Sequence, residues 1–381
     1  MADVVAVTPK VDTSYHRGED AEKGVAVGAP VDAKFDDAGP KRKKFLCWSL
    51  TKKQWIMALV GTIVGVLAVV LLILFLAIVP AIFQKQVDKV ELKLNHLDLL
   101  KMSGDRSSNE VGCEMSVHVV SDAMAEATMY STEATLSYKG KAFGKVTLPE
   151  TKLKKGKYEF DMVIKGDTNV VDQAAFREVS SAIVTDETLT VQVTAKVKIH
   201  AMGLSYGGLK LERDVSVKGL NQFSDPISKI TGISIPGCTA TEYQMITNIT
   251  LNNDSNIGLQ GIGVLNMSVY YEQEYLGQAI STDGPIGIPR GAIPKQFLLS
   301  VKKEPETLKA LKDLLKSILA SKTQFYITGN NPYAVTQAVL LDTSLTKLNM
   351  SVPYLDGIKG IQLSNLPSEC LDLVSLMGSA A

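Results

Sequence analysis

The sequence predicts a mainly β chain with minor α content: a disordered N-terminal tail, one transmembrane helix, and two tandem β-sandwich domains that each carry one helix. Three observations predict it. The uncharged stretch from Trp55 to Phe83 is long enough to cross a bilayer. Beyond it, apolar and polar residues alternate over many short runs, as in strands that bury one face. The order strand, hairpin, strand, helix, strand then occurs twice.

Bulk properties allow this reading and exclude others. A chain of 381 residues has room for two domains besides a tail and a membrane segment. Lys plus Arg and Asp plus Glu number 40 each, so no overall field draws the chain to nucleic acid. Aromatic residues make up 6%, which suits a sheet core of branched aliphatics.

Residues 1–54 form the tail. Scattered acids (Glu19, Asp20, Glu22, Asp36, Asp37) and sparse apolar residues leave too little to bury against the entropy of ordering. Residues 55–83 form the span, which begins too far into the chain and runs too long for a cleaved signal peptide, so it reads as a signal anchor. Lys41, Arg42, Lys43 and Lys44 precede it, whereas Lys85 and Lys89 alternate with Asp88 and Glu91 after it. That asymmetry places the N-terminus in the cytosol, a type II topology. The same basic cluster also fits recruitment of anionic lipid. Cys47 sits close enough to the bilayer for palmitoylation, or is an idle thiol. Gly61 and Gly65 have the spacing of a helix dimerisation face, although glycine is common in membrane helices generally.

The two sandwiches are expected over residues 86–235 and 236–377, with the break at Ile235-Pro236-Gly237. Leu136 to Gly144 (LSYKGKAFG) aligns with Val269 to Gly277 (VYYEQEYLG), each a strand, turn and strand with Tyr and Gly in register. Strands follow at Tyr158–Ile164 and Gln296–Val301. Each copy then predicts a helix: about 171–184, with Val171, Ala174, Ala175, Val179, Ala182 and Ile183 on one stripe, and one starting at Pro305, with Leu308, Leu311, Leu314, Leu315, Ile318 and Leu319. Strands resume at Leu189–Ile199 and Phe325–Thr328.

All four Asn-x-Ser/Thr sequons, at Asn248, Asn253, Asn266 and Asn349, follow the span, on the side where glycans are added. Strand alternation puts Asn248, Asn266 and Asn349 on polar faces. On that same side lie Cys113, Cys238 and Cys370, an odd number. Cys238 opens the second repeat and Cys370 closes it, so their disulfide would clamp that domain's ends, and a loop this long gains several kcal/mol in the chain-entropy model. Cys113, on the apolar side of an alternating strand, is expected to be free.

Candidate chemistry is sparse. Gly203-Leu204-Ser205-Tyr206-Gly207 matches the nucleophile-elbow pattern, but an elbow needs a strand before Ser205 and a helix after it, and Leu209–Val217 alternates as a strand. The motif reads as a hairpin turn. His16, His96, His118 and His200 form no metal-binding spacing, and no glycine-rich phosphate loop precedes a helix. No enzyme activity, cofactor or metal is therefore expected.

A basic tail, one anchor, and the L-x-Y-x-G-x-x-x-G strands with their Gly-turn, helix and strand sequel resemble the LEA-2 superfamily, and most closely fungal proteins with tandem DUF3712 domains, over about residues 86–375. The resemblance implies an immunoglobulin-like sandwich with an elongated apolar groove. It also implies lipid binding or transfer beside a membrane, in some fungal relatives the vacuolar membrane with the repeats in the lumen. The function expected first is thus a membrane-anchored lipid-binding module at the vacuole or cell surface. A structural, adhesive or partner-binding sandwich without lipid comes second, and a hydrolase using Ser205 third.

Overall fold

The structure, a computed structural model, describes residues 43–45, 48–50, 52–102, 108–225, 227–282, 287–319, 323–329, 339–354, 361–362 and 367–378. Most of the stretch read as tail, including Lys41, Arg42 and Cys47, lies outside them. Contacts divide the chain into two units, residues 1–70 and 71–381.

In the first unit, β1 (Lys43–Phe45) and β2 (Trp48–Leu50) pair antiparallel, with Phe45 opposite Trp48. This hairpin falls inside the segment expected to be disordered; its aromatic residues favour the extended chain. Helix α1 (Lys52–Ile73) follows, and Gly61 and Gly65 on it meet no neighbouring atom. A π turn (Leu74–Ile78) leads into α2 (Val79–Val87). Pro80 has no N–H for the turn before it, and a π turn is one way a helix absorbs that missing bond. The resulting helix, Lys53–Val87, is long and apolar enough to cross a membrane.

The second unit begins within this helix at Leu71, so it includes the π turn and α2, and it holds both repeats. The first comprises β3 (Glu91–Met102), β4 (Glu110–Ala123), β5 (Ala127–Met129), β6 (Thr132–Tyr138), β7 (Lys141–Leu148), β8 (Thr151–Leu153), β9 (Gly156–Val170), α3 (Gln173–Thr185), β10 (Thr188–Ala201) and β11 (Leu204–Lys218). The second comprises β12 (Lys229–Cys238), β13 (Glu242–Asn253), β14 (Ile257–Gly258), β15 (Asn266–Tyr271), β16 (Glu274–Ser281), β17 (Gly291–Lys302), α4 (Pro305–Leu319), β18 (Thr323–Thr328), α5 (Asp342–Leu345), β19 (Asn349–Tyr354), β20 (Ile361–Gln362) and α6 (Leu371–Gly378).

The duplication read from the sequence is a duplication of topology. Strand order is β3-β4-β9-β7-β6-β10-β11 in one copy and β12-β13-β17-β16-β15-β18-β19 in the other. Each sheet curls over until its first strand packs beside its last, so its inner face becomes a core. Even an irregularity is shared. The hairpin register slips between Leu136 and Ser137 in one copy and between Val269 and Tyr270 in the other, with Gly144 and Gly277 facing Leu136 and Val269. At Gly277 a Cβ would lie 1.9 Å from the Ser300 carbonyl oxygen, so only glycine fits.

The helices begin where local chemistry starts them. Asp172 caps α3, its carboxylate accepting from the N–H groups of Ala174 (2.8 Å) and Ala175 (3.1 Å). Pro305 occupies the first position of α4. Leu311, Leu314, Leu315 and Ile318 of α4 are buried, whereas α3 turns inward a mixture in which Ala175, Ser180 and Ala182 are small.

The expected break at 235/236 is moved by the structure. β12 pairs with β13 all along Lys229–Cys238, so the change of sheet falls between Lys218 and Lys229. Pro236 does not end the strand because it sits in a register shift between Ser234 and Gly237, where no ladder donor is required. The repeats also interlock: β14 pairs parallel with β3, Asn256 Nδ2 donates to the Asn95 carbonyl (2.9 Å), and Arg290 grips Asp98 through two bonds of 2.9 and 3.0 Å. Cys238, at the end of β12, and Cys370, just before α6, are joined by a disulfide.

Candidate functional site: an apolar cavity in the first repeat

The curl of the first sheet is not filled. Side chains from β3, β4, β6, β7, β9, β10 and β11 face one another across a cavity of about 180 Å³, with α3 as its lid. Apart from Ser121, Thr151 and Ser180, its lining is wholly hydrophobic. The equivalent space in the second repeat, between Ile230, Val269, Phe297 and Phe325, is about 20 Å³. One topology therefore gives a hollow copy and a filled one, and the helices account for part of the difference. Where α4 buries Leu311, Leu314, Leu315 and Ile318, α3 lines the cavity with Ser180 among Phe176, Val179, Ile183 and Val184.

The cavity has two unlike ends. At the far end Leu136, Phe143, Phe176, Val184 and Leu189 are buried, and Ile257, Leu259, Leu341 and Leu345 of the second repeat close over them. Ser344, between those leucines, hydrogen-bonds the Arg177 carbonyl of α3 (3.3 Å). At the near end Val90, Leu92, Met129, Leu153 and Phe160 are only half buried, and Val87, on the last turn of α2, joins the lining. The membrane-length helix thus ends at the more open side of the cavity. It is fastened there: the Phe83 ring stacks on Tyr206 at 4.8 Å, Gln84 bonds to the Lys210 backbone, and the Arg213 guanidinium donates to the carbonyls of Val87 and Val90.

The residues singled out in the sequence lie elsewhere. Ser205 is the second residue of β11 and its hydroxyl lies 3.1 Å from Nδ1 of His200, its cross-strand partner. A positive φ at Met202 and Gly203 makes the preceding turn a tight hairpin, and a strand rather than a helix follows. No carboxylate hydrogen-bonds His200 among the described residues, so the pair lacks the group that orients the base in a triad. Among the described residues no group of three or more His, Cys, Asp or Glu is placed to hold a metal.

Of the sequons, Asn248 and Asn349 are exposed, Asn266 is half buried with Oδ1 enclosed and unbonded, and Asn253 is only 2% exposed. Asn253 Nδ2 donates to the carbonyls of Ile257 (2.8 Å) and Pro289 (3.0 Å), and its Oδ1 accepts from Ser255. A glycan at Asn253 is incompatible with that packing, which corrects the expectation of four acceptors. Alternation along β13 puts Asn253 on the buried face with Thr247, Ile249 and Leu251, and its partners Ser255, Ile257 and Pro289 belong to the same repeat. Cys113 is buried beside Thr168 (Sγ to Oγ1 3.0 Å), and burial pushes its thiol pKa up against the pull of that hydrogen bond.

Fold and cavity together define a class: a duplicated, curled β sheet behind a membrane-length helix, hollow in one copy and filled in the other. Within that class, a family model described as "Protein of unknown function (DUF3712)" matches residues 141–269, from β7 of the first repeat to β15 of the second. No curated protein matches the chain. Among solved structures, a protein from Archaeoglobus fulgidus is similar at 12% identity and TM-score 0.19, over 34% of this chain and 94% of its own. The periplasmic chaperone SfaE is similar at 10% identity and TM-score 0.17, over 69% and 98%. The CBD12 fragment of CALX1.2 is similar at 10% identity and TM-score 0.20, over 68% and 98%. Likeness at this level says nothing about ligand or partner.

Proposed function

We propose that this chain is a single-pass membrane protein whose first repeat holds the apolar part of a lipid. The observation that carries the reading is the cavity itself. With almost no polar group to bond water it stays dry, and an empty apolar cavity of about 180 Å³ costs about 4 kcal/mol at roughly 24 cal/mol per Å³. An acyl chain recovers that loss. The helix that ends at the open side keeps the cavity beside a supply of such chains.

In this reading the basic cluster Lys41 to Lys44 keeps the N-terminus in the cytosol. Both repeats then lie in a lumen or outside the cell, where the Cys238–Cys370 disulfide and glycans at Asn248 and Asn349 are at home. The vacuolar membrane is the location that the DUF3712 resemblance favours. Pairing of two copies through Gly61 and Gly65 is compatible with their open helix face.

The test is photocrosslinking in cells fed a photoreactive fatty acid, followed by peptide mapping of the intact chain. Labelled peptides from β4, β9 and α3, lost in Val179→Trp, support the reading. Label confined to residues 53–87 sinks it and supports a sandwich that binds protein partners instead.

A further inference from the structure

The near end of the first sheet carries features that the cavity does not use. β3 starts four residues after α2 ends, so register can be followed outward from the helix. Glu91 faces Val120, Ala123 faces Gly156, Leu153 faces Ala127, Ala127 faces Ala201, and Ala201 faces Leu204. The β10–β11 turn, the 123–127 loop and the 153–157 segment therefore share the end from which the apolar helix departs.

Three exposed apolar side chains meet there: Met202 at 76% exposure, Met124 at 66% and Leu204 at 43%. Single exposed apolar residues need no explanation, but Met202 is an unusual choice. It occupies the first position of a tight hairpin with φ +53°, where Asn, Asp or Gly is favoured and a bulky side chain is strained. Lys152, Lys154, Lys155 and Lys157 are exposed on the same rim, with Lys154 over the Tyr158 ring at 4.6 Å. Apolar tips beside lysines are the pattern of a surface that sits at a bilayer interface. Tyr206 stacks on Phe83, and the hairpin runs on past that contact to its tip. Upstream of Phe83, residues 71–78 and Ile82 of the helix are exposed and apolar.

We propose that the tip of the β10–β11 hairpin, with Met202 and Leu204, inserts into the interface of the bilayer that its own helix crosses, while the rim lysines meet lipid phosphates. This rests on the lipid-binding reading and adds the route: the half-buried end of the cavity is seated on the membrane, so an acyl chain passes from leaflet to cavity without crossing water.

The test uses the full chain with Cys47→Ser, reconstituted in phosphatidylcholine and phosphatidylserine vesicles and labelled with an environment-sensitive dye at Leu204→Cys or, at the opposite end, Glu187→Cys. Cys113 is buried and Cys238 and Cys370 are bonded, so only the new thiol reacts. Spin-labelled lipid is expected to quench the dye at 204 at least about twofold more than at 187. Equal quenching, with 204 open to aqueous iodide, overturns the proposal. Fatty-acid crosslinking of the same samples separates the two ideas. Cavity label with 204 in water keeps lipid binding and rejects insertion, whereas 204 in lipid without cavity label does the reverse. In Met202→Asp/Leu204→Asp, cavity label is expected to fall several-fold while the chain stays membrane-bound.

Discussion

The side-chain amide of Gln84 makes both backbone hydrogen bonds of Lys210: Oε1 accepts from its N–H and Nε2 donates to its carbonyl, each at 2.8 Å. One glutamine on the last turns of the helix thus stands where the next strand would lie against the outer strand β11. Exposed strand edges invite pairing with other chains, and this one is covered at that point by the protein's own membrane-length helix. Gln84→Ala is expected to destabilise the first repeat by about 1–2 kcal/mol and to increase self-association. Chemical denaturation and sizing in detergent check it, and an unchanged midpoint with unchanged size rules it out.

Asp98 and Arg290 tie the repeats together through a two-pronged ion pair in which the Asp98 side chain is 11% exposed. Removing the cation alone leaves a carboxylate shut from water, so Arg290→Leu is expected to cost about 2–3 kcal/mol. Asp98→Asn combined with Arg290→Leu will recover part of that loss. A double-mutant cycle that returns simple additivity refutes the coupling.

The disulfide closes a loop of 132 residues, worth about 5 kcal/mol in the chain-entropy model. Cys238→Ser/Cys370→Ser is expected to unfold the second repeat first, lowering its transition while near-end crosslinking in the first repeat persists. Loss of both signals together means that the repeats fold as one cooperative body.

Glycopeptide mapping is expected to find Asn248 and Asn349 occupied and Asn253 bare. Asn253→Ala, which removes the buried bonds to Ile257, Pro289 and Ser255, will cost about 2–4 kcal/mol. A full-occupancy glycan at Asn253 in folded protein contradicts this packing within the second repeat.

Acid sensitivity has an assignable contributor. Burial raises the pKa of Asp372, but hydrogen bonds from Lys303 (2.9 Å) and Tyr243 (2.8 Å) outweigh it and leave the carboxyl below its ordinary value. A depressed folded pKa contributes stability above the unfolded value, about 3.9, and that contribution disappears as pH falls through the folded value. The wild type is therefore expected to lose stability more steeply than Asp372→Asn below about pH 4; parallel curves exclude the assignment.

How much of this was legible in the sequence differs by element. Topology was, because Leu136-x-Tyr138 and Val269-x-Tyr271, with Gly144 and Gly277 downstream, mark the same hairpin and the same register slip. Both helices were, although Val171 of the stripe expected on α3 precedes the helix and, like Ala174, is exposed, while Phe176 and Val184 are buried in their place. The cavity was not. Strand alternation says that Val117, Met162 and Val193 face inward, but not whether anything meets them there. The one signal available was Ser180 on the inner face of α3 set against the leucines of α4, and it becomes meaningful only once the two helices are known to be equivalent lids. Asn253 was misjudged because its sequon was weighed above its place on the Thr247, Ile249 and Leu251 face of β13, which buries it. The break placed at Pro236 went astray because a proline breaks a strand only where its missing N–H is required.

Leu341 and Leu345 give the hollow repeat a property of traffic. Reaching across from the filled copy, they stopper the far end of the cavity. A tube open at both ends is a conduit, along which cargo moves from one place to another. A tube with a plugged floor is a holster: under the lipid-binding proposal, a chain that entered from the membrane would have to back out the way it came, with the second repeat as the stop that sets its depth.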